Sequence, residues 1–183
     1  MHDWHESTAP AAPVDVRAEF EALYKEHFGF AWRALRHLGV PVPALEDAAQ
    51  EVWIVVHRRL PTFERRSSPR TWLFGIAMNV ARNRRRGMRR APEMAALPEQ
   101  VVSGRPDPEG ERAGNEAWRV IQSFLTDLDE QRRAVFVSSL LEQMSAAETS
   151  EATGLDVPTV YHQVRRLRRE LKEYLDSREG TEP

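Results

Sequence analysis

The stretch SPRTWLFGIAMNVARNRRRGMRR, residues 68–90, has the pattern of a single amphipathic helix, and the other segments are best interpreted relative to it. Pro69 suits the first turn of a helix, and Ser67 or Ser68 can cap that turn with a side-chain oxygen. Apolar residues at helical spacing then predict a buried stripe, formed by Leu73, Ile76, Ala77 and Val80.

A second face of this helix is cationic and rich in amides. It carries, at helical spacing, Asn79, Arg82, Asn83 and Arg86. Residues 64–90 contain nine arginines and one glutamate, a local charge of about +8 in a chain whose net charge is −2. Guanidinium groups bind phosphate oxygens in two-pronged geometry, and each neutralised phosphate releases counterions. The face therefore predicts salt-dependent binding of nucleic acid, with a solvated helix end as the alternative.

The composition limits the classes of protein to which the chain can belong. Its 183 residues, of which 41% are hydrophobic, suit two small domains with compact cores. The absence of cysteine excludes disulfides and thiolate metal sites. No apolar run reaches membrane-spanning length and the amino terminus lacks a signal pattern, so we expect a cytoplasmic protein. No metal site and no cofactor is predicted, because neither a metal quartet nor a phosphate-cradling glycine loop is present.

The first half of the chain predicts a three-helix domain. Residues 1–13 have no periodicity and are expected to form a disordered tail. Apolar residues then recur every three or four positions up to Gly39, and a second helix is predicted for residues 44–60. One stripe of that helix mixes acids, an amide and an aliphatic, as a protein-docking face does, and consists of Asp47, Gln50, Glu51 and Ile54. With the basic helix, these segments form a domain over residues 14–90.

The second half predicts a four-helix domain over residues 115–176, reached through a flexible linker at 91–114 and followed by a tail at 177–183. A short helix, the turn at Gly154 and a final helix with Pro158 in its first turn have the form of a helix-turn-helix. Basic and aromatic residues lie outside the apolar stripe of the final helix: Tyr161, His162, Arg165, Arg166, Arg168 and Arg169. The predicted fold class is all-α, with two small helical domains.

The chain resembles the bacterial RNA polymerase sigma factors of the extracytoplasmic-function group. Three stretches carry the resemblance: DAAQEVWIVVHRRLPTF at 47–63, RTWLFGIAMNVARN at 70–83 and GLDVPTVYHQVRRLRREL at 154–171. The resemblance implies that the first stretch, in region two, docks on the clamp coiled coil of the polymerase β′ subunit. It implies that the second recognises and opens the minus-ten element, and that the third, in region four, reads the minus-thirty-five element.

The resemblance also assigns three sets of residues. The docking face matches the family signature and comprises Asp47, Gln50, Glu51 and the neighbouring Ile54. The minus-ten surface, with its loop for a flipped base, comprises Phe63, Arg65, Arg66, Ser67, Ser68, Asn79, Arg82, Asn83 and Arg86. The recognition face, which the family places at the minus-thirty-five element, comprises Thr159, Tyr161, His162, Arg165, Arg166, Arg168 and Arg169. Within it, Thr159 and Arg168 are expected nearer the DNA backbone.

Two features depart from the family pattern or leave a choice open. Thr149 and Thr153 stand where packed aliphatic residues are usual, and each buried hydroxyl would need a partner or cost about 1–3 kcal/mol. Trp72 is expected in the core rather than as a stacking platform for a base, because it lies at helical spacing beside Leu73 and Ile76.

The sequence therefore predicts a sigma factor, not an enzyme, that binds core RNA polymerase through the β′ clamp coiled coil and the β subunit. Its other predicted partners are promoter DNA and an anti-sigma factor, the latter implied by the resemblance. One alternative is a helix-turn-helix regulator that binds DNA without acting as a polymerase subunit, and another is a helical interaction protein that does not bind DNA. The docking face favours the sigma factor over the regulator, since a regulator needs no such surface.

Overall fold

The structure, a computed structural model, describes residues 15–90 and 110–179. Within those ranges the chain forms seven α-helices and no strand, which confirms the predicted all-α fold. The helices are α1 Val16–His37, α2 Leu45–Arg59, α3 Pro69–Arg90, α4 Gly110–Thr126, α5 Glu130–Phe136, α6 Ala146–Thr153 and α7 Val157–Glu179. A π-helical segment, Val137–Leu141, continues α5. We call α1–α3 the first unit and α4–α7 the second unit.

The predicted limits of the second unit are too narrow. Helix α4 begins at Gly110, inside the predicted linker, because good helix formers at residues 111–113 outweigh the cost of the glycines on either side. Helix α7 continues to Glu179, inside the predicted tail, and Arg178 of this last turn donates to the Tyr174 hydroxyl at 3.2 Å. The tail predicted at 1–13 and most of the predicted linker lie outside the described residues.

Local sequence signals fix the ends of the helices that carry the predicted sites. The Ser68 hydroxyl accepts the Thr71 N–H at 3.1 Å, which confirms the predicted cap of α3. Ser145 and Glu148 form a reciprocal capping box on α6. Gly154 then takes a φ of +75°, which a glycine adopts without strain, and redirects the chain into α7. Helices α6 and α7 thus form the predicted helix-turn-helix.

The two threonines of α6 find partners for their hydroxyls. Thr149 is fully buried, and its Oγ1 lies 3.0 Å from the Ser139 hydroxyl. The Thr153 hydroxyl donates to the backbone carbonyl of Thr149 at 2.6 Å. Because both groups are satisfied, neither of these two threonines leaves its hydroxyl unpaired.

The two units pack directly against each other, which the sequence did not predict. Their buried side chains form one continuous apolar cluster. Helix α6 crosses α3 at Gly75, where an added Cβ would lie 3.8 Å from the Ala152 carbonyl oxygen. Trp118 of α4 packs on His37 of α1 with ring centroids 4.6 Å apart. Among the described residues, no helix is long and apolar enough to cross a membrane and no cluster of His, Asp and Glu is suited to a metal ion.

Candidate docking and nucleic-acid surfaces

The four residues of the predicted docking face lie together along α2. Asp47 and Gln50 are exposed, and Ile54 remains 44% exposed although it is a large aliphatic residue. Glu51 is more enclosed, because its Oε2 accepts a hydrogen bond from Arg84 Nε at 3.0 Å. Arg84 Nη1 also lies 4.0 Å from Asp47. Arg84 was not singled out from the sequence, since nothing in an arginine run distinguishes the member that turns toward α2.

Aromatic side chains form a shallow groove beside Ile54. Trp53 is buried, with Phe20 edge-on at 6.0 Å and Tyr24 at 4.8 Å between ring centroids. His57 closes the other side against Phe20 at 5.3 Å. The groove has a volume of about 300 Å³. Tyr24 remains 42% exposed, because it lies at the edge where α1 meets α2.

The loop between α2 and α3 forms a second groove, of about 230 Å³, beside the start of α3. Phe63 stacks on Trp72 with ring centroids 4.4 Å apart and planes at 20°. Trp72 is only half-buried, so it packs against the core with one part of its ring and lines the groove with another. The expectation that Trp72 is a core residue is therefore correct only in part, because the α3 amino terminus ends at the surface.

The two arginines of this loop are held by acids of the chain. Arg65 has a left-handed backbone, with φ of +55°, and its Nη2 lies 2.7 Å from the Glu19 carboxylate. Arg66 Nε lies 2.8 Å from Glu64, and both of these side chains are well exposed. Both guanidinium groups border the groove of Phe63 and Trp72. The groove therefore combines aromatic walls with a cationic rim.

The predicted minus-ten residues along α3 divide into two groups. Asn79, Asn83 and Arg86 are exposed. Arg82 instead turns toward the second unit, where its Nε lies 3.1 Å from the Glu130 carboxylate of α5. The structure thus places Arg82 in an ion pair between the two units.

The recognition face of α7 is largely open to solvent. Tyr161 is 65% exposed, and the side chains exposed with it are His162, Arg165, Arg166, Arg168 and Arg169. The side chain of Thr159 is held in place by Asp156, because the Thr159 hydroxyl and N–H each donate a hydrogen bond of 2.8 Å to the Asp156 carboxylate. These hydrogen bonds hold the pKa of Asp156 below its ordinary value. Thr159 is thus part of the cap of α7.

The guanidinium group of Arg166 is held in place by Glu170. Its Nε donates to Glu170 at 2.7 Å, and Glu170 pairs in addition with Arg132 of α5. Burial alone would raise the pKa of Glu170, but the hydrogen bond from Arg166 and the charge of Arg132 outweigh that effect and lower it. Glu170 therefore stays ionised and positions Arg166 while leaving its terminal nitrogens for another contact.

Comparison with known proteins assigns both units. Residues 23–91 match the family described as Sigma-70 region 2, and residues 118–171 match Sigma-70, region 4. The ECF RNA polymerase sigma factor SigC of Mycobacterium tuberculosis is 32% identical over 160 residues, which cover 86% of this chain and 83% of that protein.

Two solved structures share the fold. CnrH of Cupriavidus metallidurans, in complex with the cytosolic domain of CnrY, has a TM-score of 0.67 at 25% identity over 88% of this chain and 90% of that chain. The sigma factor RpoE of Bartonella quintana, in complex with the anti-sigma factor NepR, has a TM-score of 0.67 at 19% identity, covering 86% of this chain and 97% of that one. At 19% identity, the second likeness concerns the fold alone.

Proposed function

The chain belongs to the extracytoplasmic-function group of RNA polymerase sigma factors. We propose a role in transcription initiation for each of its three predicted surfaces. A sigma factor binds core RNA polymerase and directs it to promoters. Nucleotide addition is the reaction of the core, so we assign no catalytic step to this chain. We place it in the cytoplasm, where core polymerase and promoter DNA are found.

The docking face of α2 binds the clamp coiled coil of the polymerase β′ subunit. The observation that carries this assignment is Ile54, an aliphatic residue left 44% exposed between acids and beside an aromatic groove. Interfaces commonly have an apolar centre and a polar rim. Asp47 and Glu51 supply an acidic rim, so a partner with basic and apolar side chains fits this face.

The groove of Phe63 and Trp72 accepts an unstacked base during promoter opening. A flipped base needs a flat apolar wall, and the displaced strand needs cations along its backbone. Phe63 and Trp72 supply the wall, while Arg65 and Arg66 supply the cations at its rim. Asn79, Asn83 and Arg86 then extend the surface along α3.

Helix α7 enters the major groove at the minus-thirty-five element. It follows the tight turn at Gly154 and presents an exposed row of cations and Tyr161. Arg166, oriented by Glu170, is the side chain best placed to read a base edge, whereas Arg168 has no such acid partner within hydrogen-bond distance among the described residues and serves as a phosphate contact.

An anti-sigma factor is proposed as a further partner, and the β subunit as a second contact on the core. Support for the anti-sigma factor comes from the relative CnrH, which was solved in complex with the cytosolic domain of CnrY.

Transcription with purified components tests the proposed function. Core polymerase alone and core polymerase with the full chain are incubated with a library of genomic fragments. We expect the chain to bind the core and to produce transcripts that start at discrete positions. A helix-turn-helix regulator would bind DNA but neither bind the core nor start transcripts, and that result would reject the proposal.

A further inference from the structure

Arg132 of α5 is connected to the recognition face of α7 through one acid, Glu170. Arg132 Nη2 donates to Glu170 Oε2, whereas the other carboxylate oxygen, Oε1, accepts from Arg166 Nε at 2.7 Å. The side chains of Arg132 and Glu170 are each 24% exposed, against 54% for Arg166. The carboxylate thus joins a largely enclosed arginine of one helix to an exposed arginine of another.

Helix α5 is held in a fixed position beside α7. The Asp129 carboxylate accepts the backbone N–H of Arg132 at 2.8 Å, which caps the first turn of α5. The ring of Phe124 links the two helices, because its centroid lies 5.4 Å from that of Phe136 in α5 and 5.5 Å from that of Tyr174 in α7. Arg132 therefore reaches α7 from a fixed direction.

A second ion pair of α7 shows what the contact from α5 adds. Arg169 and Glu173 have the same spacing of four residues as Arg166 and Glu170, but Arg169 Nε lies 3.7 Å from the carboxylate and both side chains are 68% exposed. Within residues 15–90 and 110–179, Glu173 has no further ion-pair or hydrogen-bond partner. Spacing along the helix alone therefore leaves an arginine loosely held.

Ordering a base-reading side chain before binding raises selectivity. Glu170 engages only Nε of Arg166, so both terminal nitrogens remain for the edge of a guanine, whose O6 and N7 accept two parallel hydrogen bonds. Ordering one long side chain on binding lowers affinity by about 2- to 12-fold. That loss falls on the sequence whose base is contacted and not on sequences that offer Arg166 no base to bind. An arginine that is already ordered therefore widens the difference between the two.

We propose that Arg132 is a positioning residue for base recognition at the minus-thirty-five element. It holds the Glu170 carboxylate, and Glu170 holds Arg166 with its terminal nitrogens toward the DNA. The proposal rests on the proposed function of α7 and extends it to a residue of α5. Arg132 acts through Glu170 and not by its own contact with a base.

Three substitutions test this chain of contacts. Arg132→Gln removes the guanidinium group but keeps the backbone N–H that Asp129 caps. Arg132→Lys retains the charge and one contact with Glu170, so it should preserve part of the effect. Glu173→Gln is the matched control, because it removes the acid of the other pair with the same spacing.

The order of the Arg166 side chain in the free chain tests the first step. Nuclear spin relaxation of the Nε–Hε groups measures it, with Arg169 as a reference in the same spectrum. We expect Arg166 to be more ordered than Arg169 in the wild type and in Glu173→Gln, to fall to the level of Arg169 in Arg132→Gln, and to be intermediate in Arg132→Lys. If Arg132→Gln does not fold, Arg132→Lys supplies the comparison. An Arg166 that is as mobile as Arg169 in the wild type, or that is unaffected by the Arg132 variants, would overturn the proposal.

Selection from a randomised minus-thirty-five library, by the full chain with core polymerase, tests the second step. The position read by Arg166 is the one at which Arg166→Ala loses its preference. At that position we expect Arg132→Gln to lower the preference for the selected base by about 2- to 12-fold, with other positions unchanged. Arg132→Lys should show a smaller loss and Glu173→Gln none. In an Arg166→Ala background, Arg132→Gln should change the preference no further, because the side chain that it positions is absent.

A structural role for Arg132 gives a different result. Equal loss of affinity for all sequences, or an equal loss of preference in the Arg166→Ala background, would show that Arg132 acts through the fold and would overturn the proposal. Failure of the wild type to bind core polymerase would reject the proposed function instead. The relaxation measurement involves neither DNA nor polymerase, so it would still support or overturn the contact between Arg132 and Arg166 through Glu170.

Discussion

Glu51 is held more firmly than the other acid of the docking face. Its side chain is 39% exposed, against 71% for Asp47, because Arg84 Nε donates to its carboxylate. A partly exposed ion pair of this kind stabilises a protein by only about 0.2–1 kcal/mol. The pair therefore contributes more to the direction of the carboxylate than to the stability of the fold.

Glu51→Lys should abolish or strongly weaken binding of the core while leaving the first unit folded. The new ammonium group lies next to Arg84 and turns an acidic rim into a basic one, which a basic partner repels. Co-purification with core polymerase measures the effect. Glu21→Lys, an equal charge change at an exposed position of α1, is the control and should bind normally. Normal binding of core polymerase by Glu51→Lys would show that this face of α2 is not the docking surface.

In helix α6, the Glu148 side chain both caps the helix and contacts α3. Glu148 Oε2 accepts from the Ser145 N–H at 2.9 Å, and its Oε1 faces Thr71 of α3. These hydrogen bonds keep the pKa of Glu148 below its ordinary value of 4.5. The charged carboxylate therefore stabilises the fold above that pH, and its contribution is lost as the pH falls through the lowered pKa.

The free energy of unfolding should consequently fall more steeply on acidification in the wild type than in Glu148→Gln. An amide at this position lacks the titrating group, so the difference between the two proteins should shrink as the pH falls below 4.5 and through the lowered pKa. Denaturant unfolding at several pH values measures it. A difference that stays constant with pH would show that the charge of Glu148 does not contribute to stability.

Replacing two arginines of α7 should change DNA binding in different ways. Arg166 is oriented by Glu170, so Arg166→Ala should relax selectivity at one or two minus-thirty-five positions by about 1–3 kcal/mol. Arg168→Ala should weaken binding to all sequences alike and lower the salt slope by about one. Selection from a randomised minus-thirty-five library distinguishes them. Recovery of the same motif, with the same information at each position, by wild type and Arg166→Ala would exclude base reading by Arg166.

The helix ends show what local sequence can predict. The cap at Ser68 and the stop at Gly154 depend on residues within one turn, and both were predicted correctly. The start of α4 and the end of α7 were not: α4 extends back over the helix formers at residues 111–113, and α7 extends to Glu179, where Arg178 donates to the Tyr174 hydroxyl. Arg84 was missed because its partner Glu51 is distant in sequence.

At the scale of the whole molecule, the sequence predicted two units and a linker but not the contact between the units. Glu142 is indistinguishable in sequence from a solvated acid, and its burial follows only from the approach of Arg33, His37 and Arg70. Polar contacts such as these carry no hydrophobic periodicity that could reveal them. The same contact gives Arg82 a partner, Glu130, that a description of the first unit alone would omit.

Arg82 belongs both to the proposed minus-ten surface and to the interface between the units, so we expect promoter opening to depend on both units. Replacing Asn79 and Arg82 with alanine should leave core binding unchanged but suppress open complexes on duplex promoters. Open complexes should be partly restored on a template mismatched across the minus-ten element, since the bases are already unstacked. Glu130→Ala breaks the same ion pair without altering the DNA-binding side chains, so it should open promoters at least as well as the wild type. Open complexes are measured by the reactivity of unpaired thymines. Equal loss of core binding in the double variant, or equal failure of Glu130→Ala, would show that Arg82 acts through the fold rather than on DNA.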